Sequence, residues 1–357
     1  MKIVVEIISA EYGGIRTYVE HLLRTWETAH PEDELLVVVP ESSTVPTFGH
    51  QRVELKVPRP DTLFRPVVQT LRTPRIAREF GADAILATLP STTLVRSRTP
   101  TAIVIYDLRH ELRPEQFTRG RRLLRGVSYS RGYQVTDGIL SISQRSLDDL
   151  HELHPRTRVV PSAVTHLGAD HVLQWPGTAG GGPAITFAHH TNKNQGLVID
   201  GWADGLARGL AMPRLTMLGV GGARESLARE IESRGLSAHI ELAPFLPEPE
   251  FQRLMKSTSM VVFPSDFEGF GLPVVEGMLL GAPVVIGPER ATMEIAGGHA
   301  SVLADWTPAA LADAVDRAAG FDTAHLERAR AHAAGFTWAR CVEQTRDFLG
   351  GLATHRG

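Results

Sequence analysis

Short apolar runs recur along the chain, and each gives way to a segment whose apolar positions return every three or four residues. Ile3 to Ile8 is the first run, followed by Val19, Leu22, Leu23 and Trp26 at helical spacing; Leu35 to Val39 and Ala102 to Ile105 are further runs of the same kind. A continuous apolar run fits a strand covered on both faces, and its alternation with amphipathic helices predicts doubly wound parallel sheets. The expected fold class is therefore α/β. Farther along, Ala184 to Ala188, Leu215 to Leu218, His239 to Leu242, Met260 to Phe263 and Pro283 to Ile286 read as successive strands of a parallel sheet. Trp338, Val342, Thr345 and Leu349 place a helix near the end.

Between these two sets of strands lies Gln174-Trp175-Pro176-Gly177-Thr178-Ala179-Gly180-Gly181-Gly182-Pro183, a composition that packs poorly and suits a flexible connection. With 357 residues the chain has room for two cores. The expected division is a first domain at 1–172, a connection at 173–183, a second domain at 184–335 and a terminal helical segment at 336–357. Ligands of parallel sheets bind at the carboxyl ends of the strands. Lys193, Phe245 and Glu268 each follow a strand of the second domain, so they can converge on one crevice.

The segment from Phe263 to Glu276 carries the most chemistry. An apolar strand ends at Phe263, Gly269 and Gly271 follow in a loop, and Pro273 suits the first turn of a helix with apolar positions at Val275, Met278 and Leu279. Free backbone N–H groups at such a helix start attract anions. Glu268 before the loop and Glu276 after it would repel a bare phosphate but can accept hydrogen bonds from hydroxyls. The expected ligand therefore carries both phosphate and hydroxyl groups, as a nucleotide sugar does.

In these residues the chain resembles the family 4 retaining glycosyltransferases, the glycosyl transferases group 1, whose GT-B fold sets two Rossmann-like doubly wound parallel-sheet domains facing each other. The resemblance implies an acceptor-side first domain, a nucleotide-sugar-binding second domain and a terminal helix that crosses back to the first. It implies that Glu268 contacts donor-sugar hydroxyls and that Glu276 holds the ribose. It further implies that Gly269, Phe270, Gly271 and Leu272 offer backbone N–H groups to the sugar and diphosphate, and that Phe245 and Leu246 meet the nucleobase through their backbone. Lys193 matches the lysine that neutralises the pyrophosphate as charge develops on the leaving group. Gly13 and Gly14, just before a helix start that Thr17 and Glu20 would close as a capping box, match the glycine loop facing the diphosphate and acceptor, with Arg16 beside it.

Two departures stand out. Where relatives carry an arginine shortly before the lysine, this chain has His189, His190 and Asn192; where they carry His-Asp after a strand of the first domain, it has Tyr106-Asp107, with His110 as a nearby substitute. Other patterns carry less. Gly219-Val220-Gly221-Gly222 lacks the third glycine of a dinucleotide fingerprint and reads as a turn, and His151 and His154 read as a surface pair. Arg119, Arg121, Arg122, Arg125 and Arg131 read as a solvated helix face, with an anionic acceptor group or a weak membrane-surface contact as the alternatives.

A formal net charge of −3 gives no global field favouring nucleic acid. A single cysteine, Cys341, excludes an intramolecular disulfide framework and suits a reducing cytoplasm. The first residues read as a strand rather than a leader, and the apolar runs are too short to span a membrane, so at most peripheral membrane contact is expected. No Asp-x-Asp triplet is found, in keeping with a metal-independent transferase that needs no cofactor. The expected function is transfer of a hexose-like sugar, with retention, from a nucleoside diphosphate to a hydroxyl on a small-molecule, glycan or lipid-linked acceptor, in bacterial natural-product or cell-envelope glycan synthesis. The alternatives are a nucleotide-sugar epimerase or pseudo-glycosyltransferase of the same fold, and a non-catalytic nucleotide-sugar-binding protein.

Overall fold

The computed structural model describes residues 1–8 and 13–354, except for the side chains of Asp61, Thr62 and Arg121. Tyr12 of the glycine loop and the Arg121 side chain thus lie outside the described residues. The chain divides into two compact units, Met1–Gly168 with Trp338–Gly357, and Ala169–Thr337.

The first unit holds β1 (Lys2–Glu6), β2 (Glu34–Pro40), β3 (Gln51–Leu55), β4 (Ala84–Ala87), β5 (Thr101–Ile105), β6 (Gly138–Ser141) and β7 (Ser162–Val164). They form one parallel sheet in the order β3-β2-β1-β4-β5-β6-β7. Strands β4, β5 and β6 are buried throughout, as their unbroken apolar runs require of a sheet covered on both faces. The helix Trp338–Thr354 belongs to this unit: Trp338 stacks on His21 at 4.9 Å and Arg346 bonds Asp33 at 2.7 Å. Burial alone would raise the Asp33 carboxyl, but Arg346, the amino terminus and Trp26 bind it and hold it at about 2.

The second unit holds β8 (Ala184–Phe187), β9 (Leu215–Leu218), β10 (Ile240–Leu242), β11 (Met260–Phe263), β12 (Val284–Ile286) and β13 (Ser301–Val302), all parallel in the order β10-β9-β8-β11-β12-β13. Five of these are the runs read from the sequence; β13 is too short to leave a run. The order reverses at β8 and β11, the switch point where an open α/β sheet parts its crossovers. The helix Leu272–Leu279 lies close on this sheet because Gly277 has no side chain: a Cβ there would sit 2.7 Å from Val261.

The division between the units falls after Gly168, ahead of the stretch expected to connect them. Residues Asp170–Gln174 form a 3-10 turn, and the chain after it is tied down by hydrogen bonds within the second unit. Lys256 Nζ donates to the Trp175 carbonyl at 2.9 Å, and Gly182 N–H donates to the Ser257 carbonyl at 2.7 Å. Backbone groups, invisible to a reading of composition, secure a segment poor in packing side chains.

Candidate active site

At the carboxyl end of β11 the chain runs Pro264 to Gly271 into the helix Leu272–Leu279, and at the carboxyl end of the adjacent β8 it runs Ala188 to Asn194. These two loops are knitted together. The Asp266 N–H donates to the Asn192 carbonyl at 3.0 Å, and the Asn194 side-chain amide donates to the Pro264 carbonyl at 2.8 Å. The Asn192 side-chain amide donates to Ser265 Oγ and the Phe267 carbonyl, both at 2.9 Å.

Glu268 sits at the centre of this knot. Its Oε1 accepts from Lys193 Nζ, from the Ser265 hydroxyl and, at 3.2 Å, from the Asn192 amide. Lys193 is buried at 7% exposure, with its ammonium 4.2 Å from the centroid of the Phe263 ring. A buried ammonium needs an anion and an aromatic face to offset lost hydration, and Glu268 and Phe263 supply them. Lys193 is thus not a solvated loop lysine. Asn192 had no assigned role from spacing alone, because its contacts with Ser265 and Glu268 join residues more than seventy positions apart, and Ser265, only three residues before Glu268, was not assigned one either.

Gly271 takes φ +97° at the head of the helix, and Pro273 lies in its first turn, so the strand, glycine loop and helix start occur as expected. Gly269 and Phe270 are buried, and Leu272 is half-buried. The Phe270 ring packs edge-on against Phe336 at 6.0 Å, so what this residue offers at the loop is backbone. Glu276 is buried one turn into the helix, where His171 Nε2 lies 3.3 Å from its Oε1. His171 comes from the 3-10 turn at Asp170–Gln174, and only the fold brings it there.

The remaining residues at this edge of the second sheet come from β8, β9 and β10. Phe245 is exposed and Leu246 half-buried after β10. His189 is exposed, 6.1 Å from the Phe245 ring and 4.8 Å from His190 between ring centroids. Gly219, at φ +75° after β9, lies beneath both: a Cβ there would stand 3.2 Å from His189 and 3.4 Å from Phe245. The run Gly219 to Gly222 is a strand-to-helix turn, as its failed fingerprint suggested.

In the first unit Arg16, Tyr106 and His110 make contacts within the unit, and Gly13 and Gly14 lie exposed. The helix Gly13–Ala29 begins at Gly13, with φ +61°, so Thr17 lies inside it and the expected capping box does not form. Glu20 instead accepts from Arg16 Nε one turn earlier at 2.6 Å, and Arg16 also donates to Thr44 Oγ1 at 2.9 Å. Gly14 is exposed beside Gly13. The Tyr106 hydroxyl is buried with no hydrogen-bond partner among the described residues, and its ring meets Tyr18 edge-on at 5.7 Å. Burial, with Tyr18 and Cys341 nearby, pushes that hydroxyl well above the usual tyrosine range.

His110 is buried 3.3 Å from Glu111. His154 also binds Glu111, at 2.9 Å, so it is not half of a surface pair with His151. Burial would raise the Glu111 carboxyl, but the hydrogen bonds from His110 and His154 hold it at about 2.

Residues 187–323 match the family model described as glycosyl transferases group 1. Among curated relatives, the chain is 31% identical over 125 residues to a D-inositol 3-phosphate glycosyltransferase of Catenulispora acidiphila, covering 34% of this chain and 30% of the relative. It is 31% identical over 142 residues to a GDP-mannose-dependent phosphatidylinositol dimannoside mannosyltransferase of Mycobacterium tuberculosis, covering 39% of this chain and 36% of that one. The chain thus spans about a third of the length of the curated relatives it matches. Solved structures match across both units. Anabaena HepE in complex with UDP-glucose superposes with a TM-score of 0.75 at 19% identity, over 98% of this chain and 100% of that one. A sucrose-phosphate synthase from Thermosynechococcus elongatus gives 0.72 at 13% identity, over 99% of each chain. The expected fold class, two Rossmann-like parallel-sheet domains of GT-B type, is thereby met.

Proposed function

Residues 187–323 match the glycosyl transferases group 1, and from that premise we infer that the protein moves a hexose-like sugar from a nucleoside diphosphate to an acceptor hydroxyl with retention of configuration. The observation that carries this reading is the convergence of Lys193, Asn192 and Ser265 on Glu268, beside the loop from Gly269 to Leu272. One cation, one carboxylate and a helix start at a single sheet edge suit a ligand with both anionic and hydroxyl groups.

In the proposed reaction the donor C1–O bond to phosphate breaks while the acceptor oxygen bonds to C1 on the same face. The acceptor proton passes to the leaving phosphate oxygen. Lys193 and the N–H groups of the Gly269–Leu272 loop counter the charge that grows on the diphosphate. Glu268 accepts hydrogen bonds from donor-sugar hydroxyls, with Asn192 and Ser265 holding its carboxylate in place. Glu276, oriented by His171, accepts from the ribose hydroxyls, and Phe245 and Leu246 adjoin the base. The reaction as written requires no metal and no cofactor, and the lone, buried Cys341 suits a cytoplasmic enzyme.

The lipid- and inositol-directed names of the curated relatives, and the UDP-glucose bound by HepE, support a nucleotide-sugar donor and an acceptor of cell-envelope or natural-product chemistry. The test is a product assay by mass spectrometry with a panel of sugar nucleotides and candidate acceptors. A glycosylated product with retained configuration supports the reading. Conversion of the donor sugar without acceptor would replace it with epimerisation, and binding without any turnover would replace it with a ligand-holding role.

A further inference from the structure

The first unit carries a surface unrelated to the site at Glu268. On the helix Asp61–Phe80, exposed Leu63, Val67, Leu71 and Arg75 succeed one another at four-residue steps. Phe64 lies exposed beside them, and Gln69, Thr73 and Ala77 face the core from the other side. On the helix Arg119–Val135 the same step joins exposed Arg119, Leu123, Val127 and Arg131. Four-residue steps place side chains in one row along a helix. Each helix therefore presents an outer row of apolar side chains with arginine at one or both ends.

Hydrogen bonds make the two rows neighbours. Leu94 N–H donates to Thr70 Oγ1 at 2.8 Å, while Arg131 Nε donates to the Leu94 carbonyl at 2.7 Å. Ser91 and Ser128 share a hydrogen bond of 2.8 Å between their hydroxyls. The loop between the helices thus joins both, and it adds exposed Val95 to the surface. Leu71, Leu123 and Val127 are exposed by 67%, 69% and 63%, more than an apolar side chain gains by facing water.

We propose that this surface is a docking face for a membrane of anionic lipid. The charge pattern selects the occupant: residues 119–135 include Arg119, Arg121, Arg122, Arg125 and Arg131 and no aspartate or glutamate. A second copy of the chain would bring the same positive charges against each other. A bilayer surface instead supplies phosphates at the level of the arginines and an acyl boundary at the level of Leu63, Val67, Leu71, Leu123 and Val127. No helix among the described residues is long and apolar enough to cross a membrane, so the contact is peripheral. The proposal holds whether or not the second unit transfers a sugar.

The experiment is flotation of the full chain with vesicles of phosphatidylglycerol and phosphatidylcholine mixed, against vesicles of phosphatidylcholine alone. The protein should float with the anionic vesicles only, and less as salt rises. Arg119→Glu with Arg122→Glu should lower the partition coefficient about tenfold or more, and Leu123→Ser with Val127→Ser should lower it at constant charge. Circular dichroism confirms that each pair remains folded. The proposal is overturned if wild-type protein fails to float or if both pairs float like it. It is equally overturned if inorganic phosphate at constant ionic strength releases the protein, or if light scattering shows a dimer that either pair dissolves.

Discussion

The two parallel sheets end differently at their carboxyl edges. In the second unit, Lys193, Asn192, Ser265 and Glu268 bind one another around a half-buried carboxylate beside a glycine loop. In the first, the polar groups at the strand ends are drawn inward. Glu6, the last residue of β1, is 2% exposed and accepts from Gln69, whose amide also donates to the Ser91 carbonyl at 2.9 Å. Tyr106, just after β5, buries its hydroxyl against Tyr18. One architecture thus supports the proposed ligand-facing edge in one unit and a packed polar edge in the other. Substitutions in the second unit should strike turnover, and those in the first should strike stability.

The largest effect should come from Glu268→Gln, which keeps the side chain's shape but removes the charge that Lys193, Asn192 and Ser265 surround. Turnover should fall by about 10³-fold, and the melting temperature should fall as well, because Lys193 is left buried without its anion. Wild-type rates in this variant would remove Glu268 from the reaction. Lys193→Ala should lower turnover by about 10²-fold, and it should also cost stability, because the half-buried Glu268 is then left without its cation. Loss of stability without loss of rate would make Lys193 a structural residue only.

In the first unit the corresponding break is Glu6→Gln. Burial raises the Glu6 carboxyl to about 7, against the hydrogen bonds of Gln69, Thr73 and Thr92 and the charge of Arg65. The folded protein therefore holds this proton more tightly than the unfolded chain does. Its contribution is fully present below the ordinary glutamate value and is lost as pH rises through about 7. Urea unfolding should show wild type losing about 2 to 3 kcal/mol relative to Glu6→Gln between pH 4.5 and 7. Asp33 and Glu111, held at about 2, titrate below this window. Parallel pH profiles for the two proteins would show that Glu6 ionises as freely in the fold as outside it.

The smallest effect is expected at His171, which reaches the proposed site through Glu276. His171→Ala should raise the donor KM about tenfold and leave kcat nearly unchanged, and His171→Gln, which retains an N–H donor, should recover much of the loss. A fall in kcat at unchanged KM would place His171 in the chemistry instead.

What the sequence made legible follows the same division. Glu268, the glycine loop, Pro273 and Glu276 lie within fourteen residues, so local spacing revealed the strand, the loop and the helix start. Lys193 was expected in the same crevice as Glu268, but Asn192 and His171 did not show as partners of the two carboxylates, because they meet them only after the sheet forms. In the first unit, local reading went astray where two pairings competed. Thr17 and Glu20 have capping-box spacing, but the helix starts at Gly13 and Glu20 turns to Arg16. Tyr106 follows a strand as a site residue would, and the edge-on Tyr18 ring beside it is a neighbour that nothing along the chain announces. Similarity to known sequences follows this division too: the family match covers 187–323, inside the second unit, whereas the fold match covers both.

The central claim is that the groups gathered around Glu268 and Lys193 receive a nucleoside diphosphate sugar. Thermal unfolding with UDP-, GDP-, ADP- and dTDP-sugars tests it directly, since a ligand that binds the folded state raises its stability with occupancy. The expected result is a concentration-dependent rise in melting temperature with donors of one base, absent in Lys193→Ala. No rise with any donor, or an equal rise in that variant, would contradict it.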